Sequence, residues 1–161
     1  GFIAREIRSA GYDPALTALL VPTLKGIREA GTDRIHVEWD RNENGVVNAA
    51  AADPDAESVR YSYDSANRQI VRTVNGVTTP LVTNVPPGGF TLEYRNDLLD
   101  EVNPNHPIVP TGSPAIVAAL SRDLITSVIL TLRVETKGVS PVSSYELTSR
   151  IAVRARVVDR L

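Results

Sequence analysis

With 161 residues, 42% of them hydrophobic, the chain is long enough to bury one sizeable core, and a single domain over residues 1–161 is the expectation. Its 17 basic and 19 acidic residues are interspersed and sum to a net charge of −2, which leaves no basic stripe for nucleic acid and no polybasic patch for an anionic bilayer. Cysteine is absent, so disulfides, thiolate nucleophiles and zinc–thiolate sites are excluded together, and no apolar run reaches the roughly 18 residues of a membrane span.

Phe2, Ile3, Ile7 and Ala10 recur at helical spacing, with Arg5, Glu6, Arg8 and Ser9 in the other positions, so residues 1–11 read as an amphipathic helix. Gly11 and Pro14 end it. The chain does not begin with Met and the helix is under way at its first residue, so this is expected to be the C-terminal part of a longer N-terminal helix. Residues 15–20 make a helical turn that Pro22 breaks, and 24–30 read as weakly helical up to Gly31.

From Arg34 the period changes to two. Ile35, Val37 and Trp39 form one face of a strand, with His36, Glu38 and Asp40 on the polar face. Val59, Tyr61 and Tyr63 alternate with Arg60 and Ser62 in a second strand, and the turn residues 64–67 lead to a third over 69–74. Asn75-Gly76 then predicts a type I′ hairpin, because both central positions of that turn need positive φ. The run 86–89, Pro-Pro-Gly-Gly, ends this meander, and Phe90, Leu92 and Tyr94 begin another strand. Four prolines (Pro104, Pro107, Pro110, Pro114) make 96–114 a long surface loop, the kind of segment on which partners bind. Residues 115–124 have helical composition. Val128, Leu130, Leu132 and Val134 alternate in the next strand. The last, over 145–157, is expected to turn Leu147, Ile151, Val153 and Val157 inward and Arg150, Arg154 and Arg156 outward. The expected class is α+β: an N-terminal amphipathic helix packed on antiparallel sheet built from 34–161.

The polar loop between the first two strands carries the most chemistry. Asp40-x-Asn42-x-Asn44-Gly45 has the oxygen spacing of a calcium loop, with the Val46 carbonyl next and Asn48 where a water-mediated ligand falls. Ala51 stands where a bidentate carboxylate belongs. Asp53, Asp55 and Glu57 are the nearest substitutes, Glu57 being placed to close the site as the loop folds back. The candidate ligands are therefore Asp40, Asn42, Asn44, Val46 and Glu57, and so few carboxylates imply a calcium Kd of about 10⁻⁴ to 10⁻³ M. The alternative is an ion-free β-connection rich in Asx turns. Asp97, Asp100 and Glu101, followed by Asn103 and Asn105, are either a second cation-binding surface or a solvated loop. His36 and His106 are expected to face solvent, and no H-E-x-x-H, G-x-S-x-G or phosphate-cradling motif is present, so no enzyme activity is expected.

Four motifs in order, the helix end A-R-E-I-R-S-A-G-Y-D-P, the Asp-x-Asn-x-Asn-Gly loop, E-S-V-R-Y-S-Y-D at 57–64 and Y-E-L-T-S-R-I at 145–151, resemble the soluble part of PilW-like minor pilins of bacterial type IV pili. The layout is similar to that of the type II secretion minor pseudopilin of the J type. The resemblance implies a pilin-like fold and a prepilin anchored in the inner membrane by a hydrophobic N-terminal segment, with the domain in the periplasm before assembly and in the surface fibre afterwards. It implies a non-enzymatic subunit that meets other minor pilins and the major pilin through its helix, primes assembly and sits at the fibre tip, where an adhesin is a further partner. It also implies calcium on the polar loop, with Glu57 matching the glutamate that precedes the V-x-Y-x-Y strand. Asn44, Val46 and the alanine-rich stretch depart from that family's loop. A different reading of the same residues is a free-standing calcium-stabilised extracellular adhesive module that recognises its target through 96–114.

Overall fold

The computed structural model describes residues 2–12, 26–48, 55–96, 106–138 and 140–153. Helix α1 (Phe2–Ser9) buries Ile3 and Ile7 and is followed by Ala10, also buried. A five-stranded antiparallel sheet follows in simple meander order, made of β1 (Ile27–Ala30), β2 (Arg34–Glu38), β3 (Ser58–Asp64), β4 (Gln69–Val74) and β5 (Val77–Thr83). The second sheet has four strands, β6 (Phe90–Asn96), β7 (His106–Ile108), β8 (Ser127–Glu135) and β9 (Ser144–Ala152), in the order β7-β6-β8-β9. A single turn, α2 (Ala119–Arg122), precedes β8.

Alternation drives the assembly. Ile35 and Val37 of β2, Val59 and Tyr61 of β3 and Ile70 of β4 pack in one cluster with Phe90, Leu92 and Tyr94 of β6, Val128 of β8 and Ile151 of β9. The β4–β5 hairpin turns at Asn75 (φ 49) and Gly76 (φ 74), both in the left-handed region that a type I′ turn demands. At the β3–β4 turn the Asp64 carboxylate accepts the amides of Ala66 and Asn67. The sheets are joined where the β1–β2 turn meets β6: the Tyr94 hydroxyl donates to the Gly31 carbonyl at 2.7 Å, and the Leu92 amide to the Thr32 carbonyl at 2.8 Å. Gly11 and Gly26 meet back to back at the end of β2. The Gly11 amide donates to the Glu38 carbonyl, the Glu38 amide donates to the Gly26 carbonyl, and a Cβ on Gly26 would sit 3.1 Å from the Gly11 backbone.

The α+β, pilin-like expectation of an N-terminal helix packed on sheet as the organising layer is corrected. In the described residues 49% of positions are strand, arranged in two antiparallel sheets, beside a short helix. The helical period over residues 2–10 was genuine, but two turns bring only a few side chains to a core that the strands otherwise supply. The weakly helical reading of 24–30 is also overturned. Ile27–Ala30 is strand β1, because pairing with β2 buries Ile27 and Ala30 and outweighs a small helix preference. Of 115–124 only Ala119–Arg122 is helical, and Ile116 instead bridges to Gly31 and Thr111. Within 96–114, β7 pairs with β6. In β9, Ile151 faces in and Arg150 out, whereas Leu147 is 61% exposed. Residues 154–157, like Asp97, Asp100, Glu101, Asn103 and Asn105, lie outside the described residues.

Candidate functional site

β2 runs out at Glu38, and the chain then winds around two carboxylates. Asp40 and Glu57, 17 positions apart in sequence, are both buried, although Asp40 belongs to the polar alternation of the strand. Glu57 is held in place by backbone pairing, since the Trp39 amide donates to its carbonyl at 3.0 Å. Its Oε1 accepts the amides of Arg41 (2.7 Å) and Asn42 (3.0 Å), and its Oε2 accepts that of Asn48 (2.7 Å). Asp40 uses both oxygens, Oδ1 toward the Asn44 amide (3.2 Å) and Oδ2 toward the Gly45 amide (2.9 Å). Two Asx turns complete the winding, with Asn42 Oδ1 accepting the Asn44 amide and Asn44 Oδ1 the Val46 amide. Loop amides thereby find acceptors without a sheet partner.

The structure thus brings the candidate ligands onto one loop. Asp40, Asn42 and Asn44 each keep acceptor capacity beyond their single amides per oxygen, as a carboxylate or amide oxygen has two lone pairs. Those oxygens and the Val46 carbonyl are the hard donors a calcium ion takes. Glu57 fits that role less well, since its Oε1 already carries two amides and its Oε2 a third. Among the described residues no group of three or more acidic or histidine side chains converges.

A second polar cluster was not anticipated from sequence. Glu6 of α1 accepts the Tyr61 hydroxyl of β3 and lies 2.9 Å from the Arg72 guanidinium of β4, with all three buried. Burial first, and then the neighbouring Glu6 carboxylate, pushes the Tyr61 phenol well above its usual range. The Phe2 ring lies under both Arg72 and Arg5, at 5.0 and 4.7 Å from the centroid. The signal was available: Ile3, Glu6, Ile7 and Ala10 share one helical stripe, and Arg72 interrupts the apolar run Ile70, Val71, Val74. A cleft of about 300 Å³ joins this cluster to the loop and is lined by Arg5, Glu6, Ser9, Tyr12, Trp39 and Arg41. Tyr12 spans it, its hydroxyl donating to Glu43 at 3.3 Å and its carbonyl accepting the Asp40 amide at 2.8 Å.

Comparison with known proteins places no relative beside this geometry. No family model, curated protein or solved structure matches the chain.

His36 is half-buried and hydrogen-bonds through Nε2 to Ser58 Oγ at 2.7 Å, tying β2 to β3, among Arg28, Glu29, Glu38 and Arg60. In that patch Arg28 pairs with buried Glu38, and Arg60 with Glu29 at 3.1 Å. His106 is exposed on β7. No helix among the described residues is long and apolar enough to cross a membrane.

Proposed function

We propose that this domain is a minor pilin, a non-enzymatic structural subunit that primes assembly of a type IV pilus or pseudopilus and sits at the fibre tip. The observation that carries the reading is the buried ion pair between Glu6 on α1 and Arg72 on β4. If α1 meets neighbouring subunits in a fibre, this short helix must neither slide nor rotate against the β-sheets that make up the domain. Apolar contacts such as those of Ile3 and Ile7 tolerate sliding, whereas a desolvated, directional pair with a third partner in Tyr61 is satisfied in one register only. Arg5 and Arg8 stay exposed on the opposite side of the helix, where neighbouring subunits would pack.

In this function the helix meets other minor pilins and the major pilin, with an adhesin as a further tip partner, and the domain passes from the periplasmic face of the inner membrane to the cell-surface fibre. Calcium is the ligand of the polar loop, taken by Asp40, Asn42, Asn44 and the Val46 carbonyl, while Glu57 anchors the loop. The deciding experiment is deletion of the gene in the source organism. Loss of surface fibres, restored by the wild-type gene and poorly by Arg72→Leu, is the expected result; normal fibres and motility after deletion would overturn the proposal.

A further inference from the structure

Two sheets present four edges, and three of them are guarded. β1 has four residues and an irregular register at Ile27/Glu29. β5 carries Pro80 and a register shift opposite Ile70/Val71. β7 has three residues, with Pro107 in the middle. Short strands, proline and bulges are among the devices that stop a sheet edge from recruiting another chain. β9 has none of these three, and the charged residues it does carry, Glu146 and Arg150, are of opposite sign. Its nine residues, Ser144–Ala152, keep unbroken register with β8, and among the described residues no strand pairs with its other side.

The direction of its backbone groups follows from the two bonds that bracket the ladder. The Thr136 amide donates to the Ser143 carbonyl and the Val153 amide to the Thr126 carbonyl, both at 2.9 Å. Odd-numbered residues of β9 therefore spend their backbone groups on β8, and in an antiparallel ladder the alternate residues Ser144, Glu146, Thr148, Arg150 and Ala152 turn theirs outward. All five are exposed. On the core-side face, Tyr145 (70% exposed) and Leu147 (61%) run past the end of the core beside Val134 and Leu132 of β8. An open edge thus lies next to uncovered apolar side chains.

We propose that β9 is a self-association edge, on which a second copy of this chain adds its own β9 antiparallel about a twofold axis at Thr148. This rests on no part of the minor-pilin reading. Charge complementarity selects the occupant and the register. With the axis at Thr148, outward-facing residues meet outward-facing residues, and Glu146 of each copy lies opposite Arg150 of the other, so the ion pair forms twice. On the apolar face Tyr145 of one copy lies opposite Ile151 of the other. A slip by two residues sets Glu146 against Thr148 or Ala152 and loses both ion pairs.

The test is sedimentation equilibrium on the wild-type chain and three variants over a wide concentration range. Wild type is expected to dimerise reversibly. Thr148→Pro removes an outward N–H while leaving the β8 bonds, and should leave monomer with an unchanged circular-dichroism spectrum. Glu146→Arg should weaken the dimer by roughly tenfold or more, and Glu146→Arg with Arg150→Glu should restore it to within about threefold of wild type. Arg133, which faces Glu146 within the same chain, is present in monomer and dimer alike and cancels from this comparison. A wild-type chain that stays monomeric throughout, or a dimer indifferent to the charge reversal, overturns the proposal even if the proline variant fails to fold.

Discussion

Glu6 Oε1 on helix α1 and Arg72 Nη2 on strand β4 lie 2.9 Å apart, joined across 66 positions of chain and shut away from solvent. Breaking such a pair from one side strands a charge inside the protein. Arg72→Leu alone, or Glu6→Leu alone, should therefore lower stability by about 3–5 kcal/mol in urea unfolding. The double substitution should recover most of that loss, because two leucines leave no uncompensated charge. Equal and additive losses would show that the two residues act separately.

Glu57 is the larger determinant of the loop. Glu57→Ala leaves the amides of Arg41, Asn42 and Asn48 without their acceptor, and should cost about 3 kcal/mol or more. Glu57→Gln keeps one acceptor oxygen and should cost less. Denaturant midpoints that coincide with wild type would remove the carboxylate from its anchoring role.

The calcium proposal has a separate readout. With a Kd of about 10⁻⁴ to 10⁻³ M, calcium at about 10 mM should stabilise the fold by roughly 1–3 kcal/mol relative to excess chelator. Asp40→Asn should abolish the response. Identical thermal midpoints in both buffers would mean that the loop is closed by its own amides alone.

Gly76 sits at φ 74 in the β4–β5 turn, with open space where a Cβ would point. Gly76→Val is therefore expected to destabilise through backbone strain and not through a clash, by about 1–2 kcal/mol. Gly76→Asn should cost less, since asparagine tolerates this conformation. Equal effects of the two, measured by thermal unfolding, would contradict this.

Burial holds the His36 pKa below its usual 6.5; Arg28 and Arg60 act in the same direction, and Glu38 and Glu29 oppose it. The unfolded chain thus takes up the proton first as pH falls. The His36 contribution to stability is complete above about pH 6.5, declines as pH drops through that value, and levels off below the folded pKa. His36→Gln should flatten this part of the stability profile. Parallel wild-type and variant curves between about pH 7.5 and about 5.5 would show that other groups set it.

Much of the β architecture was legible because its signals are local. Period-two alternation located the strands around Ile35, Val59, Phe90 and Val128, and Asn75-Gly76 specified its turn, since both depend on backbone geometry within a few residues. The polar loop was legible as a loop with clustered oxygens. Its winding about Glu57 was not, since nothing local tells a buried carboxylate that collects amides from a solvent-facing ligand.

By itself the sequence determined what chemistry is absent, through its lack of cysteine, and where the chain must alternate or turn. Only the tertiary structure decided that Ile27–Ala30 is a strand, that Glu6 finds Tyr61 and Arg72, and that Leu147 ends up exposed while Glu38 and Asp40 are buried. The reason is common to all of them. Burial is a property of the surfaces that meet, and these surfaces come from segments tens of residues apart, whose contact outweighs the small local preferences on which a one-dimensional reading depends.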